Sequence, residues 1–237
     1  MPRLVSMANL VLRCQRRCDM ENNPHVDSTV GGEWYALLSE QFGELYGIVA
    51  ESGMRYYETA TQFIPAGATI AQPADHLATI GIDWIVNTST GERRELVELM
   101  VQERQQYAAL RGGDTVAFSL AGQTFSLWPT PAGTGRTFEL LYIPQPPDLT
   151  LLSAVSTVDV VNADGEGFLV WGACVKALAK EEADTGLAER ERERYRMSLT
   201  EWASLRAFNT PRRRQISEID SDAFYPGNYD SADWRYR

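Results

Sequence analysis

Apolar residues recur at helical spacing near both ends of the chain and at strand spacing in its middle. Leu4, Val5, Ala8, Val11 and Leu12 line one face of a helix predicted from about Pro2 to Cys18. Asn22-Asn23-Pro24 breaks it, and Asp27 or Ser28 offers the side-chain oxygen that caps a second helix. Trp34, Leu37, Leu38, Phe42, Leu45, Ile48 and Val49 form that helix's buried stripe. From Met54 the pattern changes. Arg55 to Ile64 is rich in aromatic and β-branched residues and predicts a strand; Pro65-Ala66-Gly67 turns the chain, and Pro73-Ala74-Asp75-His76 opens a short helical turn. Ile80 to Val86 reads as a strand, Thr88 to Gly91 as a turn, and Glu98 to Leu110 as a short helix ended by Gly112-Gly113-Asp114. Val116 to Leu120 leads into two further strands, Gln123 to Pro131 and Arg136 to Pro144, which read as a hairpin closed by Ala132-Gly133-Thr134-Gly135.

Pro144-Gln145-Pro146-Pro147 cannot continue a sheet interior and marks a boundary. Leu151 to Val161 reads as weakly structured. Phe168, Leu169, Trp171, Val175 and Leu178 restore helical spacing, Thr185-Gly186 interrupts it, and a last helix runs to about Phe208, before Pro211. In that helix Glu189, Glu191 and Glu193 alternate with Arg190, Arg192 and Arg194, which sets opposite charges three apart in Glu189–Arg192 and Glu191–Arg194. Two readings of this face stay open: a solvated surface, or a surface that pairs with the same helix of a neighbouring subunit.

The sequence therefore predicts an α+β fold: a helical bundle formed by N- and C-terminal helices (1–53 and 164–208), an inserted small antiparallel β domain (54–150) and an extended C-terminal arm (209–237). The arm carries Arg212, Arg213 and Arg214, then acidic residues, then Phe224, Tyr225, Tyr229, Trp234 and Tyr236. Arginine and aromatic side chains are enriched where proteins meet, so the arm reads as partner-binding. The other reading is a terminus that frays or folds back on its own domain.

Charge and candidate chemistry narrow the function. A net charge of −10 argues against phosphate binding over the whole surface, yet suits a wall past which DNA slides. Three cysteines, no apolar leader and no membrane-length apolar run predict a soluble protein with reduced thiols, intracellular when made, with no membrane partner. Histidine occurs only as His25 and His76; His76 beside Asp75 reads as a surface residue, and no nucleophile elbow accompanies either. Cys14 and Cys18 share a helix face, and with Cys174 or His25 they make only half of a structural zinc pattern, so the thiols read as buried or half-buried. Gly133-Thr134-Gly135-Arg136-Thr137 departs from a phosphate loop: Thr130 stands where its first glycine belongs, Arg136 stands where its lysine belongs, and the run joins two strands. No catalytic, cofactor or metal residue is assigned.

Three stretches carry a family resemblance. The first is Arg16 to Asn22, followed by a helix with Trp34, Leu37, Leu38 and Leu45-Tyr46. The second is Leu127-Trp128-Pro129-Thr130-Pro131 with Glu139-Leu140-Leu141-Tyr142-Ile143-Pro144. The third is Phe168 to Asp184, similar to an alanine–lysine–leucine–lysine–glutamate–glutamate helix that leads into another helix; Gly172 departs from that pattern. In this order they resemble the head-to-tail adaptor proteins of tailed bacteriophages over roughly Leu4 to Leu205. The resemblance implies a structural virion protein with no enzymatic activity and no cofactor, located in the virion neck and in the host cytoplasm before assembly. It implies a homo-oligomeric ring, usually dodecameric, under the portal protein. The ring would connect the portal to a tail or nozzle protein and line the DNA passage without sequence-specific binding. It further implies that Arg212, Arg213 and Arg214 meet portal carboxylates and that Phe224, Tyr225, Tyr229 and Trp234 fill apolar grooves. Other readings have their own signatures: another neck or tail-completion protein differs in ring symmetry and partner, a cytosolic enzyme requires a deep pocket with His76 and a perturbed carboxylate, and a nucleic-acid module would use Arg212 to Arg214.

Overall fold

The chain starts in an extended conformation. In the computed structural model, which describes residues 3–21, 26–52, 55–65, 67–87, 89–100, 115–131 and 135–209, Leu4–Ser6 forms strand β1 and pairs antiparallel with β10 (Thr157–Asp159). Helix α1 occupies only Met7–Cys18. The early helical spacing misleads because Ser6 is an N-cap: its backbone is extended and its hydroxyl accepts the Asn9 N–H at 3.4 Å. The same pairing gives order to the segment read as weakly structured, where Leu149–Leu151 is a 3₁₀ turn and β10 follows.

Asp19 ends α1 in the left-handed conformation, and the Met20 N–H closes back on the Gln15 carbonyl at 2.8 Å, a Schellman-type stop. Helix α2 spans Glu33–Glu51 and begins later than Asp27 or Ser28 would place it. The Asp27 carboxylate instead accepts the backbone N–H and hydroxyl of Thr29, each at 2.8 Å, and its carbonyl accepts the Trp34 N–H. Asp27 thus closes a turn that feeds the helix. Trp34, Leu38, Phe42, Leu45 and Val49 of the expected stripe are buried.

Helices α3 (Ala163–Lys180) and α4 (Gly186–Asn209) complete the four α-helices among the described residues. Asn162 caps α3 by accepting the Gly165 N–H at 2.7 Å, so this helix starts earlier than its apolar spacing indicates. Contacts divide the chain into two units. One takes Met1–Thr61, Pro73–Ile80 and Leu141–Pro211; the other takes Gln62–Gln72 and Gly81–Leu140. In the first, α3 packs on α1, α2 and α4 around a core of Met7, Leu10, Trp34, Leu38, Phe168 and Leu169. Its Ala173 and Ala177, also buried, let neighbouring helices approach closely.

Besides the β1–β10 pair, the strands among the described residues form two four-stranded sheets. β2 (Thr59–Phe63), β9 (Thr137–Pro144), β4 (His76–Asn87) and β5 (Glu92–Glu95) are neighbours in that order. The second sheet runs β3 (Thr69–Ala71), β8 (Thr124–Trp128), β7 (Ala117–Ala121) and β6 (Val97–Glu98), with β6 parallel to β7. The fold is α+β, with small, largely antiparallel sheets.

The expected hairpin of β8 and β9 does not form, since these strands belong to different sheets. Gly122, with φ +62, allows a two-residue reversal that pairs β8 with β7 instead. Alternation in β8 shows which side chains face inward, Phe125 and Leu127, but not which strand lies alongside. Pro73 to His76 is a β-turn closed by the His76 N–H on the Pro73 carbonyl, not a helical turn, and it runs directly into β4. The strand read at Arg55 to Ile64 narrows to Thr59–Phe63. Glu98 lies in β6, and residues 101–110 of the helix expected there, with the glycines read as its end, lie outside the described residues.

Candidate functional site

The partner-binding residues read from the sequence, Arg212, Arg213, Arg214, Phe224, Tyr225, Tyr229 and Trp234, all lie outside the described residues. Among the described residues the informative arrangements are charged and polar groups fixed between helices, together with exposed apolar side chains.

The strongest polar anchor was not anticipated. Glu166, in the first turn of α3, is 3% exposed and pairs with both Arg3 and Arg13, Arg3 Nη2 lying 2.5 Å from its Oε2. The N-terminal strand and α1 are thereby tied to the start of α3. A single carboxylate within Gly165 to Trp171 is the available sequence signal, because such a group is buried only when paired. Nothing in the sequence identifies two arginines more than 150 positions away as its partners.

A second arrangement runs along α2. Lys180 meets Glu33 at 2.6 Å, Lys176 meets Glu40 at 2.8 Å and Glu44 at 3.6 Å, and Arg192 meets Glu44 at 2.5 Å. This ladder ties α2 to α3 and α4. Arg192 and Phe168 also stack, the guanidinium 5.5 Å from the ring centre. The expected Glu189–Arg192 pair is therefore replaced by a contact between helices, while Glu189 accepts the Thr185 hydroxyl at 2.7 Å. The Glu191–Arg194 pair forms at 2.7 Å.

Gly172, the departure within the third resemblance stretch, has a packing explanation. A Cβ placed there would overlap the Gln41 side chain from α2, which is fully buried. In the β unit, buried Glu139 of β9 pairs with Arg93 of β5 and accepts from Gln62 of β2 at 3.2 Å.

Aromatic groups gather below α2. Tyr46 stacks on Tyr57 at 4.0 Å, Tyr56 meets Tyr57 and Trp202 edge-on, and the Tyr56 hydroxyl donates to both Asp159 oxygens. Burial pushes the Tyr46 phenol up to about 12, with the Asp75 charge adding to it; burial also raises Tyr56 and Tyr57.

The candidates for chemistry resolve as follows. His76 is half-buried rather than a surface residue: its ring stacks on Tyr142 at 5.6 Å and bonds the Thr79 hydroxyl at 2.9 Å, and burial lowers its pKa. Cys14 and Cys174 are buried together between α1 and α3, the Cys174 thiol pointing to the Cys14 carbonyl at 3.5 Å and the Cys14 thiol to the Val170 carbonyl at 3.8 Å, and half-buried Cys18 packs against the same core. No group of three metal-ligating side chains suited to an ion occurs among the described residues. Gly135, Arg136 and Thr137 line a shallow hollow of about 300 Å³ with Trp84 to Asn87, and the Arg136 guanidinium lies 4.8 Å above the Trp84 ring. His25 and residues 132–134 lie outside the described residues.

The exposed surface of the helical unit includes large apolar side chains, the most open being Leu151 at 83% and Val155 at 84%, with Leu187, Met197 and Leu205 along α4. Such groups suit contacts with other proteins. No described helix is long and apolar enough to cross a membrane.

No curated protein matches the chain. The profile of one family, described as SU10 adaptor protein, matches residues 11–216, which takes in α1 from its second turn, both sheets, α2, α3 and α4. With that coverage, the chain belongs to the SU10 adaptor protein family, a family of phage head–tail adaptors.

Proposed function

We propose that this protein forms a ring beneath the phage portal and joins it to the tail, with DNA passing through the centre. The observation that carries the reading is the family match over residues 11–216. Twelve subunits is the expected ring number. The helical segments, 1–53 and 164–208, dock to the portal, and the inserted β segment, 54–150, faces the tail or nozzle protein. The C-terminal arm, 209–237, supplies the portal contacts: Arg212, Arg213 and Arg214 pair with carboxylates, and Phe224, Tyr225, Tyr229 and Trp234 enter apolar grooves. Arm binding costs ordering entropy, which keeps the free chain monomeric until the portal acts as template. The net charge of −10 disfavours a grip on passing DNA. The protein resides in the virion neck after assembly in the host cytoplasm, and its role is structural rather than enzymatic.

The test is a mass measurement of the purified chain alone and with the portal of its own phage. A monomer that converts to a portal-bound multimer supports the reading. A chain that stays monomeric beside a folded portal refutes it.

A further inference from the structure

We propose that β2 of one copy and β3 of a second copy pair as neighbouring strands, joining the sheets of adjacent subunits through backbone hydrogen bonds. β2 lies at one edge of its sheet, beside β9, and β3 lies at one edge of the other, beside β8. The two strands are consecutive in the chain, yet they do not pair with each other. Ala60, Thr61 and Gln62 of β2 are exposed, as are Thr69 and Ala71 of β3.

An edge strand presents N–H and C=O groups that a further strand satisfies, and proteins that avoid such pairing place charges on the edge or keep it very short. The opposite edges follow that rule. β5 reads Glu92-Arg93-Arg94-Glu95, all exposed, and β6 has two residues, one of them exposed Glu98. Residues 59–71 depart from it. They include no charged side chain, in a chain of which 23% is charged, and Ile64 between the two strands is 62% exposed.

The register fixes which groups of β3 are open. The Leu127 N–H donates to the Ala68 carbonyl at 2.8 Å, and the Gln72 N–H donates to the Gln123 carbonyl at 3.0 Å. Backbone direction alternates along a strand, so Ala68, Ile70 and Gln72 face β8, while Thr69 and Ala71 turn their N–H and C=O groups to the outer edge.

A second copy is the occupant because it brings the counterpart that each edge lacks. Every chain carries one edge of each kind, and neutral meets neutral, whereas β5 would set buried charges against either. Joining unlike edges is a head-to-tail contact, which generates a ring when its rotation closes and then leaves neither edge open. That closure rests on the ring reading above. β3 offers only two outward-facing residues, so the ladder is weak between free copies and forms fully where a template holds them side by side.

The test mixes two full-length chains at high concentration without portal, one carrying Thr61→Cys and the other Thr69→Cys. A short bis-maleimide traps brief contacts irreversibly, and digestion with mass spectrometry identifies the joined peptides. The expected result is a dimer linking positions 61 and 69 that grows with protein concentration in the mixture. Either chain alone stays at the background that the native cysteines give in the unsubstituted chain. Adding Ala71→Pro to the Thr69→Cys chain abolishes the link, because it removes an outward N–H and leaves the β8 ladder intact. Should that variant fail to fold, Ala60→Lys in the Thr61→Cys chain gives β2 a guarding charge and must abolish the link instead. Absence of the mixed link, an equal link in the Thr61→Cys chain alone, or a link that survives the edge variants overturns the proposal. Portal binding is measured separately with the unsubstituted chain. A chain that binds portal but forms no link sinks the strand pairing alone, and one that links but ignores the portal sinks the adaptor reading alone.

Discussion

Glu166 is shared by Arg3 and Arg13, so one buried carboxylate fixes the start of the chain to α3. The three partners are unequal. The arginines are about half exposed and can return to water, while the carboxylate cannot. Removing both arginines strands a buried charge and costs about 3–5 kcal/mol. Glu166→Gln keeps shape and one acceptor and costs about 1–2 kcal/mol. Urea unfolding of Arg3→Met/Arg13→Met against Glu166→Gln checks this ranking, and the reverse order contradicts it.

The contact of Gly172 with Gln41 predicts a non-additive pair. Gly172→Ala drives a methyl into the Gln41 side chain and costs about 1–3 kcal/mol through overpacking, despite alanine's better helix propensity. Gln41→Ala in the same chain removes the obstacle, so the double variant is more stable than Gly172→Ala alone. A double-mutant cycle in denaturant reads the coupling, and simple additivity refutes the contact.

The ladder along α2 predicts a small effect despite its four contacts. Its lysines, arginine and carboxylates are all partly exposed, and pairs of that kind contribute about 0.2–1 kcal/mol each. Lys180→Ala therefore lowers stability by less than about 1 kcal/mol, and the loss shrinks in 1 M salt. A loss comparable with that of stranding Glu166 would show the ladder to be buried in solution.

The tyrosine cluster predicts loss of stability in alkali. Burial raises the folded-state pKa values of Tyr46, Tyr56 and Tyr57, whereas unfolded phenols titrate near about 10. Above that pH the unfolded chain holds fewer protons than the folded one, so stability falls as pH rises. For Tyr46 the fall runs from about pH 10 to about 12. Tyr46→Phe removes one proton's worth of slope in that window. Chemical denaturation at successive pH values measures it, and an unchanged slope contradicts the raised pKa.

How much of this was legible in the sequence depended on the range of the interaction. The apolar stripe of α2 and the break at Thr185-Gly186 are local patterns and appear where they were read. Strand partners are not local: Phe125 and Leu127 alternate as a half-buried strand should, yet the pattern is equally compatible with β7 and with β9 alongside. Gly122 carried the deciding signal, a glycine suited to a two-residue reversal, and the glycines at 133 and 135 competed with it. Leu4 and Val5 fit a helical face because short strands and helices share two-residue apolar runs. Ser6 was the overlooked stop. Gly172 stood out as a departure from a pattern, but only the fold shows Gln41 filling its place. Glu166 and its two arginines could not be paired from spacing at all, since the partners come from opposite ends of the folded segments.

The central claim is that the chain becomes a ring only on its portal, held there by its arm. Electron microscopy of the purified chain mixed with its own phage's portal, beside a sample ending at Asn209, tests it most directly. The account predicts a second ring stacked on the portal with the full chain, and bare portals with the shortened one. Full-length chain that leaves every portal bare contradicts the adaptor assembly, and a shortened chain that still forms the ring contradicts the role given to the arm.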